Sequence, residues 1–388
     1  MSDYDAGYTP LTLAVKEGYV DAVSDLVALG ADVNQADRND TTPMEICIKD
    51  NNMVMLRALA CLGVDISAAR NKSSVAYVHQ AVSIGNVEAV KALVELGTCV
   101  NITMRYGSTP LHVATSENAL NMVRALIGLG ANLDAVDNDG DSAVYIAAKY
   151  GHTDVFRALA ELGANLTTRN SKTDMAPVHV AARRGHVSII LALAELGIDI
   201  NTPNRSGTSP AHMAASEGQV DVIRALAAQG GNVNAPNNVG ATPVYASAAN
   251  DQVEMIQVLA ELGANLHTPT KRGCSPAIIA IANGHLGAIK QLAQLGADFN
   301  APGHVHIIRF LVELGVDVNT AKTNGITPLF KSASKGSMEL VNELVGFRGD
   351  IDQINKQGVS PLSAALSKGH TDVATYLVNI GADVKQCL

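Results

Sequence analysis

The amino-acid sequence predicts an all-α fold in which one unit of two helices is repeated along the 388 residues. A glycine recurs at intervals of 32 to 34 residues, with one shorter interval of 19. A second phrase, Thr or Ser followed by Pro and apolar residues, recurs in parallel. Aromatic residues make up only 4% of the chain, which favours closely stacked helices over a core of large rings. The repeated glycines are Gly30, Gly63, Gly97, Gly130, Gly163, Gly197, Gly230, Gly263, Gly296, Gly315, Gly349 and Gly381.

The elements of one unit follow from local signals. The first helix begins at the recurring phrase, as in TPLHVA at 109–114, because the Thr hydroxyl caps free N–H groups and Pro suits the first helical position. A glycine such as Gly151 ends that helix. The second helix is amphipathic, since Val20, Val23 and Leu26 of VDAVSDLVALG share one face. A stretch rich in Asn, Asp and Gly then predicts a tight turn or short β-hairpin, which we call the tip.

This pattern resembles the ankyrin repeat, a unit of about 33 residues with a β-turn and two helices, in which TPLHxA opens the first helix. The resemblance covers essentially the whole chain and gives about twelve units, of which eleven are full and one is short. One repeat cannot bury its own apolar face, so the resemblance implies a single ankyrin-repeat solenoid in which neighbours supply the core.

The short unit divides the predicted array. Comparison of residues 300–315 with 234–263 shows a loss of 14 residues, which removes the tip and the first helix. Three explanations stay open: an artefact of the coding sequence or numbering, a tolerated degenerate repeat, and a hinge or docking notch. Each predicts a discontinuity near Ala301. The predicted organisation is repeats one to nine at 1–300, a truncated repeat at 301–319 and two final repeats at 320–388.

The polar residues do not indicate catalysis. The resemblance implies that the histidines at the TPLH position and after the glycine that ends the first helix are structural, and that the TPLH imidazole hydrogen-bonds to neighbouring backbone. His304 and His306 point apart on the predicted helix and lack a nearby Cys or acidic ligand set. The sequence contains no phosphate-binding loop and no GxSxG elbow. We therefore expect no enzyme activity, no catalytic residue, no metal and no cofactor.

Composition limits the partners and the location. The formal net charge of −9 disfavours binding to nucleic acid or to anionic membranes. The five cysteines are scattered and include no CxxC pair, which fits a reduced intracellular setting. The N-terminus lacks a signal-peptide layout, and no apolar run reaches the roughly 18 residues needed to span a bilayer. We expect a cytoplasmic or nuclear protein without membrane insertion.

The resemblance implies a non-enzymatic adaptor or scaffold that binds another protein through its concave face, formed by the tips and the first helices. A basic cluster on adjacent tips and one first helix predicts an acidic partner segment, because Arg offers bidentate contacts to carboxylates and only Asp174 opposes the cluster nearby. Tyrosines are expected to anchor the interface. The candidate partner-binding residues are Arg169, Lys172, Arg183, Arg184, Arg205, Tyr106, Tyr150, Lys271 and Arg272.

Two other functions fit the sequence. The array is also compatible with a structural spacer or assembly subunit that contacts its neighbours by the convex face and the ends. The basic cluster is compatible with a sensor of a small anionic ligand, which would need a closed pocket between tips. The terminal units carry no dedicated polar cap, so end-to-end self-association is a further expectation.

Overall fold

The computed structural model describes residues 7–66, 75–297, 317–319, 321 and 324–384, which form 22 α-helices and no named β-strand. The helices alternate between a first helix of seven or eight residues and a second helix of nine. The first helices are α1 Pro10–Lys16, α3 Pro43–Lys49, α5 Tyr77–Ser83, α7 Pro110–Ser116, α9 Ala143–Tyr150, α11 Pro177–Arg184, α13 Pro210–Glu217, α15 Pro243–Ala249, α17 Pro276–Ala282, α19 Pro328–Ser334 and α21 Pro361–Ser367. The second helices are α2 Val20–Ala28, α4 Met53–Cys61, α6 Val87–Glu95, α8 Leu120–Gly128, α10 Thr153–Glu161, α12 Val187–Glu195, α14 Val220–Ala228, α16 Val253–Glu261, α18 Leu286–Gln294, α20 Met338–Gly346 and α22 Thr371–Asn379. The all-α repeat fold is therefore confirmed.

The first helices begin where the recurring phrase predicts them. Thr109 is extended, with φ −84° and ψ 166°, and its hydroxyl accepts a hydrogen bond from the N–H of His112. Ser209 caps α13 in the same way, through the N–H of His212. Pro follows both of these caps, at a position where its missing N–H would have had no helical partner. Loss of such a cap typically costs about 1 kcal/mol, so the phrase fixes the start of these helices. The phrase is incomplete at α9, where Ala143 follows the Ser142 cap, and at α5, which has no side-chain cap.

The left-handed residues that end helices are mostly glycines. Gly151 ends α9 with φ 75°, as predicted, whereas Asp251 takes the equivalent place after α15 with φ 54°. After α20 the left-handed residue is Arg348, with φ 62°, and Gly349 is not left-handed. The glycine series is wrong at this point, because the repeat position belongs to Arg348, which lies 33 residues before Gly381.

Contacts between Cα atoms divide the chain into two compact units, with the boundary inside α11. The first unit is Met1–Ala181 with His186–Asp199, and the second is Ala182–Gly185 with Ile200–Leu388. Within the first unit α1, α3, α5, α7 and α9 pack side by side in that order, and so do α4, α6, α8, α10 and α12. Fully buried side chains such as Leu56, Leu93 and Phe156 fill its core.

The second unit is built in the same way. Helices α13, α15 and α17 pack in order, as do α14, α16 and α18, around the fully buried Ile223, Ile256 and Ile289. The last two full repeats share a further apolar cluster that includes Leu329 and Leu377. In each unit, repeats supply one another's core, as expected for a repeat array.

The predicted break cannot be placed among these elements. Residues 298–316 lie outside the described residues, and with them lie Ala301, His304 and His306. The division into 1–300, 301–319 and 320–388 therefore stays a prediction, and so do the three explanations of the short unit.

Candidate partner-binding surface

Several tips are turns closed by one polar side chain at the start of the turn. In the first unit, Asp137 Oδ1 accepts hydrogen bonds from the N–H groups of Asp139 and Asp141, both at 2.9 Å. In the second unit, Asn204 and Asn237 hold the same position and accept equivalent bonds at 2.9 to 3.1 Å. A carboxylate and an amide therefore close the same turn, and the charge of a tip is free to differ. One isolated antiparallel bridge, between Val136 and Ser142, is the extent of β-pairing recorded in the described tips.

Main-chain hydrogen bonds join neighbouring tips. In the second unit, the Asn238 N–H donates to the carbonyl oxygen of Ser206 at 3.0 Å. The Lys271 N–H donates to the carbonyl oxygen of Val239 at 2.9 Å. These bonds fix three consecutive tips, at 203–208, 236–241 and 269–274, relative to one another.

Glycine makes this close approach possible. Gly240 has φ 85°, and a Cβ added there would lie 2.8 Å from the backbone nitrogen of Lys271. Gly107 plays the same part in the first unit, with φ 76° and 2.9 Å to the backbone nitrogen of Asn138. A side chain at either glycine would strain the backbone and push the next tip away.

The histidines of the TPLH phrase form hydrogen bonds with the main chain of the tips. His112 Nδ1 lies 2.8 Å from Thr109 Oγ1, and Nε2 donates to the carbonyl oxygens of Ala135 and Asp141 at 3.0 and 3.1 Å. Burial lowers the pKa of its imidazole, which is therefore neutral near pH 7. The same direction and cause hold for the pKa values of His79 and His212.

The second histidine position, after the glycine that ends the first helix, is structural as well. Nε2 of each ring lies 2.9 to 3.2 Å from a carbonyl oxygen near the end of the first helix in the preceding repeat. These histidines are His152, His186, His285 and His370. The expectation that the TPLH imidazole bonds to neighbouring backbone is confirmed for His79, His112 and His212, and the second position makes equivalent bonds.

The two candidate tyrosines are exposed on the first unit. Tyr106 is 70% exposed on its tip, and the guanidinium of Arg105 lies 6.0 Å from its ring centroid. Tyr150 is 53% exposed at the end of α9, where it stacks on His152 with a centroid separation of 5.8 Å. The Lys149 ammonium lies 5.8 Å from the Tyr150 ring. Both rings are presented to solvent with a cation beside them.

Lys149, at the end of α9, binds a residue in the tip of the same repeat. Lys149 Nζ donates to Asp141 Oδ2 at 2.9 Å, and the Asp141 side chain is buried. Burial is the largest single effect and disfavours the charge of the ammonium. The hydrogen bond to Asp141 and the charge of Asp141, with smaller contributions from Tyr150 and Tyr145, together outweigh it and raise the pKa of Lys149. A cation at the end of a first helix can therefore contact residues of the tip in the same repeat.

The five cations of the predicted basic cluster are divided between the units. Arg169 and Lys172 belong to the first unit, whereas Arg183, Arg184 and Arg205 belong to the second. Ion pairs join Arg169 to Asp174 at 3.2 Å, Lys172 to Asp139 at 2.7 Å and Arg183 to Glu217 at 3.1 Å.

The expectation that only Asp174 opposes this cluster is wrong. Asp139 lies 33 residues before Lys172, and Glu217 lies 34 residues after Arg183, so each carboxylate comes from the neighbouring repeat. The hydrogen bond from Lys172 lowers the pKa of Asp139, which is ionised at neutral pH. The repeat spacing itself was the signal that would have revealed both carboxylates.

The tips of the second unit have a different character. The segments 203–208, 236–241 and 269–274 contain no Asp or Glu. They carry Arg205, Lys271 and Arg272, all exposed, with Val239 between them at 61% exposure. Within the described part of the chain, no ion pair is recorded for Lys271 or Arg272. We call these four residues the basic tip row. Sequence reasoning named its three cations and missed Val239.

Comparison with known proteins agrees with this architecture. The family described as "Ankyrin repeats (3 copies)" matches residues 78–170, 129–204, 166–237, 211–303 and 301–386, and the family described as "Ankyrin repeat" matches residues 6–38. The chain belongs to the ankyrin-repeat family. This family is a non-catalytic fold that mediates binding between proteins.

Individual relatives match parts of the chain. Human "Ankyrin repeat and SOCS box protein 6" is 34% identical over 109 residues, and the match spans 26% of this chain and 26% of that protein. "Putative ankyrin repeat protein FPV223" of Fowlpox virus (strain NVSL) is 32% identical over 114 residues, which are 29% of this chain and 79% of that protein. The match thus covers about a quarter of the length of the human relative.

Solved ankyrin-repeat structures also resemble the chain. The ankyrin-repeat domain of human ASB11 is 25% identical with a TM-score of 0.49, and the match covers 55% of this chain and 96% of that domain. The ankyrin-repeat domain of Bcl-3 is 27% identical with a TM-score of 0.49, and covers 56% of this chain and 97% of that domain.

The second helices of these ankyrin repeats carry a row of exposed ion pairs. In each, an arginine of one repeat bonds to a glutamate of the next at 2.6 to 3.2 Å. The pairs are Arg57 with Glu95, Arg124 with Glu161, Arg157 with Glu195, and Arg224 with Glu261. Exposed pairs contribute little stability, and this row is a solvated surface.

Two other kinds of site are absent from the described residues. They contain no group of three or more His, Cys, Asp or Glu side chains placed to hold a metal ion. Among the same residues, no helix has the length and apolar character required to cross a bilayer.

Proposed function

We propose that the chain is a non-enzymatic adaptor or scaffold that binds an acidic protein segment along the basic tip row of its second unit. One observation carries the proposal. Three consecutive tips, joined by main-chain hydrogen bonds, carry Arg205, Lys271 and Arg272, and their segments contain no Asp or Glu, on a chain whose net charge is −9. Clustered cations on a rigid surface favour an acidic partner through complementary potential and bidentate contacts from Arg.

Other candidate residues add to this surface or stand apart from it. Arg184 is exposed at the end of α11 in the same unit, and Arg183 is bound to Glu217. Arg169 and Lys172 would have to exchange an internal carboxylate for a partner's, which reduces their contribution. Tyr106 and Tyr150 are proposed as separate contacts on the first unit.

End-to-end self-association is a second proposal, favoured by an apolar surface on the last repeat. Leu366, Val378 and Val384 are between 44% and 53% exposed and line a cleft of about 350 Å³. A second copy of the chain is the proposed occupant, and an association constant from sedimentation that is unchanged by Leu366→Ser would contradict it. The spacer and small-anion alternatives remain proposals, as does a cytoplasmic or nuclear location.

The proposed function is tested with a fluorescein-labelled oligoglutamate peptide and fluorescence anisotropy. A triple variant, Arg205→Ser, Lys271→Ser and Arg272→Ser, is compared with the wild-type chain. The matched control removes three exposed cations of second helices by Lys91→Ser, Arg224→Ser and Lys290→Ser. Both triples change the net charge equally. We expect the tip variant to lose about tenfold in affinity, which is about 1.4 kcal/mol, and the control to lose less than about threefold. Equal losses would overturn the proposal.

A second variant tests the same surface without removing any cation. Asn204→Asp and Asn237→Asp retain the Oδ1 acceptors that close the two tips, so the turns should persist. Each change places a negative charge within the basic tip row. We expect an unchanged urea midpoint and a loss of about tenfold in peptide affinity. An affinity within about twofold of wild type would contradict the proposed function.

A further inference from the structure

We infer that the acidic partner crosses the basic tip row as a polyproline II segment that advances three residues per repeat, with an apolar residue against Val239 between two acidic ones. The inference rests on the proposed function and specifies the partner that the site selects. It follows from three features of the second unit: the distance between tips, the order of side chains along them, and the rigidity of the row.

The distance between tips is set by helix packing. Helices α13, α15 and α17 pack side by side, and helices in contact lie about 8–10 Å apart. The tips follow the same step because each is bonded to the next through the backbone. Arg205 and Lys271 are two repeats apart, so they are separated by about 16–20 Å. A polyproline II segment rises about 3.1 Å per residue, and it covers this distance in five or six residues. It has about three residues per turn, so every third side chain lies on the same side of the segment.

The side chains alternate in chemistry along the row. Arg205 is on the first tip, Val239 on the second, and Lys271 with Arg272 on the third. Val239 is 61% exposed, and its flanking Asn238 and Gly240 contribute no competing apolar surface. A partner that binds all three tips therefore needs an acidic residue, an apolar residue about three positions later, and another acidic residue about three positions after that.

A helical partner fits this arrangement poorly. A helix rises about 1.5 Å per residue, so it needs about eleven residues to join the two basic tips. At about 3.6 residues per turn, the residue midway between them points to the opposite side of the helix. Such a partner cannot bring its midpoint side chain onto Val239 while both acidic residues contact the tips.

Rigidity makes the spacing selective. The Asn238 side-chain amide adds a hydrogen bond to the carbonyl oxygen of Arg205 at 2.7 Å, beyond the main-chain bonds already described. A row fixed in this way does not adjust its steps to a ligand of another spacing. A matched ligand also meets a surface that is already ordered, which reduces the entropy lost on binding.

The test uses capped synthetic peptides of equal composition. The spaced peptide is Glu-Ser-Ser-Leu-Ser-Ser-Glu, and the compressed peptide is Glu-Glu-Leu-Ser-Ser-Ser-Ser. We expect the full wild-type chain to bind the spaced peptide about tenfold more tightly, because only that peptide reaches both basic tips at once. Equal affinities for the two peptides, both lost in the triple serine tip variant, would overturn the three-residue step and leave the proposed function standing. Absence of binding to either would overturn both.

A double-mutant cycle tests the apolar contact separately. Val239→Ser is combined with replacement of the peptide Leu by Ser. We expect Val239→Ser to weaken binding of the Leu peptide about fivefold and to leave the Ser peptide unchanged, since the effect belongs to one pair of side chains. Equal effects on the two peptides would show that Val239 does not face the middle residue. The urea midpoint of Val239→Ser serves as the folding control.

Discussion

The tips of the two units share one construction and differ in charge. In the first unit, Asp137 closes a tip, Asp139 is paired with Lys172, and the buried Asp141 is paired with Lys149. In the second unit, Asn204 and Asn237 close equivalent turns with neutral amides. The first unit pairs Lys149 and Lys172 with carboxylates of its tips, whereas the segments 203–208, 236–241 and 269–274 of the second unit contain no Asp or Glu.

This difference shows where function can vary within a repeat. In the tips that begin at Asp137 and Asn237, the fold requires an acceptor oxygen at the start of the turn, a left-handed glycine near its end and a histidine of the preceding repeat that bonds to a tip carbonyl oxygen. None of these requirements fixes the two residues at the crest, such as Asn138 and Asp139 or Lys271 and Arg272. Residues that the fold does not use are therefore free to define a partner.

The largest expected effect comes from separating the tips without changing their charge. Gly240→Ala places a Cβ against the backbone nitrogen of Lys271 at a positive φ, and Gly107→Ala does the same against Asn138 in the first unit. We expect each change to lower the free energy of unfolding by about 1–3 kcal/mol. Oligoglutamate binding should fall about tenfold for Gly240→Ala alone, because only the second unit carries the basic tip row.

Both glycine variants are measured by urea unfolding, which gives their stability, and by peptide anisotropy, which gives their affinity for oligoglutamate. Equal loss of peptide binding in Gly107→Ala would show that the units do not differ in function. A Gly240→Ala chain that is destabilised yet binds normally would show that the row does not need to be rigid.

Acidification should weaken the hydrogen bonds between the TPLH histidines and the tips. Burial lowers the pKa of His112, so the unfolded chain, with a value near 6.5, binds the proton more readily. The stability contributed by this histidine is complete above about pH 6.5 and is lost as the pH falls towards the lower folded value. The first unit contains two such histidines, His79 and His112, and the second contains His212.

The measurement is urea unfolding with amide hydrogen exchange at about pH 7.5 and about pH 5.5. His112→Gln keeps a side-chain donor for the carbonyl oxygens but does not titrate, and should reduce the loss on acidification. His112→Ala removes the side-chain donor to the carbonyl oxygens of Ala135 and Asp141 and should cost roughly 1–3 kcal/mol at the higher pH. An unaltered pH dependence in His112→Gln would refute the role assigned to the imidazole.

Much of the fold was predictable because it is specified locally. The Thr-Pro phrase carries both the cap and the first helical residue, so Thr109 and Ser209 marked helix starts directly. Arg348 was missed because glycine usually takes the left-handed position, and the neighbouring Gly349 was assigned to that position instead. Here the packed repeat determined the register against local preference.

The candidate surface was less predictable because charges pair across repeats. The cations were visible in the sequence, but Lys172 and Arg183 are bound to carboxylates 33 and 34 residues away. A cluster defined by neighbours in sequence therefore overcounts available charge. Val239 was overlooked because its exposure depends on the turn around it, and composition alone does not distinguish it from a core valine.

The smallest expected effect converts a first-unit tip towards the character of the second. Asp139→Asn removes the carboxylate that binds Lys172, and the turn should persist because Asp139 contributes to it through its N–H. The released ammonium should raise oligoglutamate affinity about twofold, a small gain because the pair is exposed to solvent. The matched control is Asp154→Asn on α10, which changes the net charge equally at an exposed position away from the tips. An equal gain in affinity for the control would attribute the effect to net charge. A gain confined to Asp139→Asn would show that the ion pair with Asp139 prevents Lys172 from binding acidic ligands.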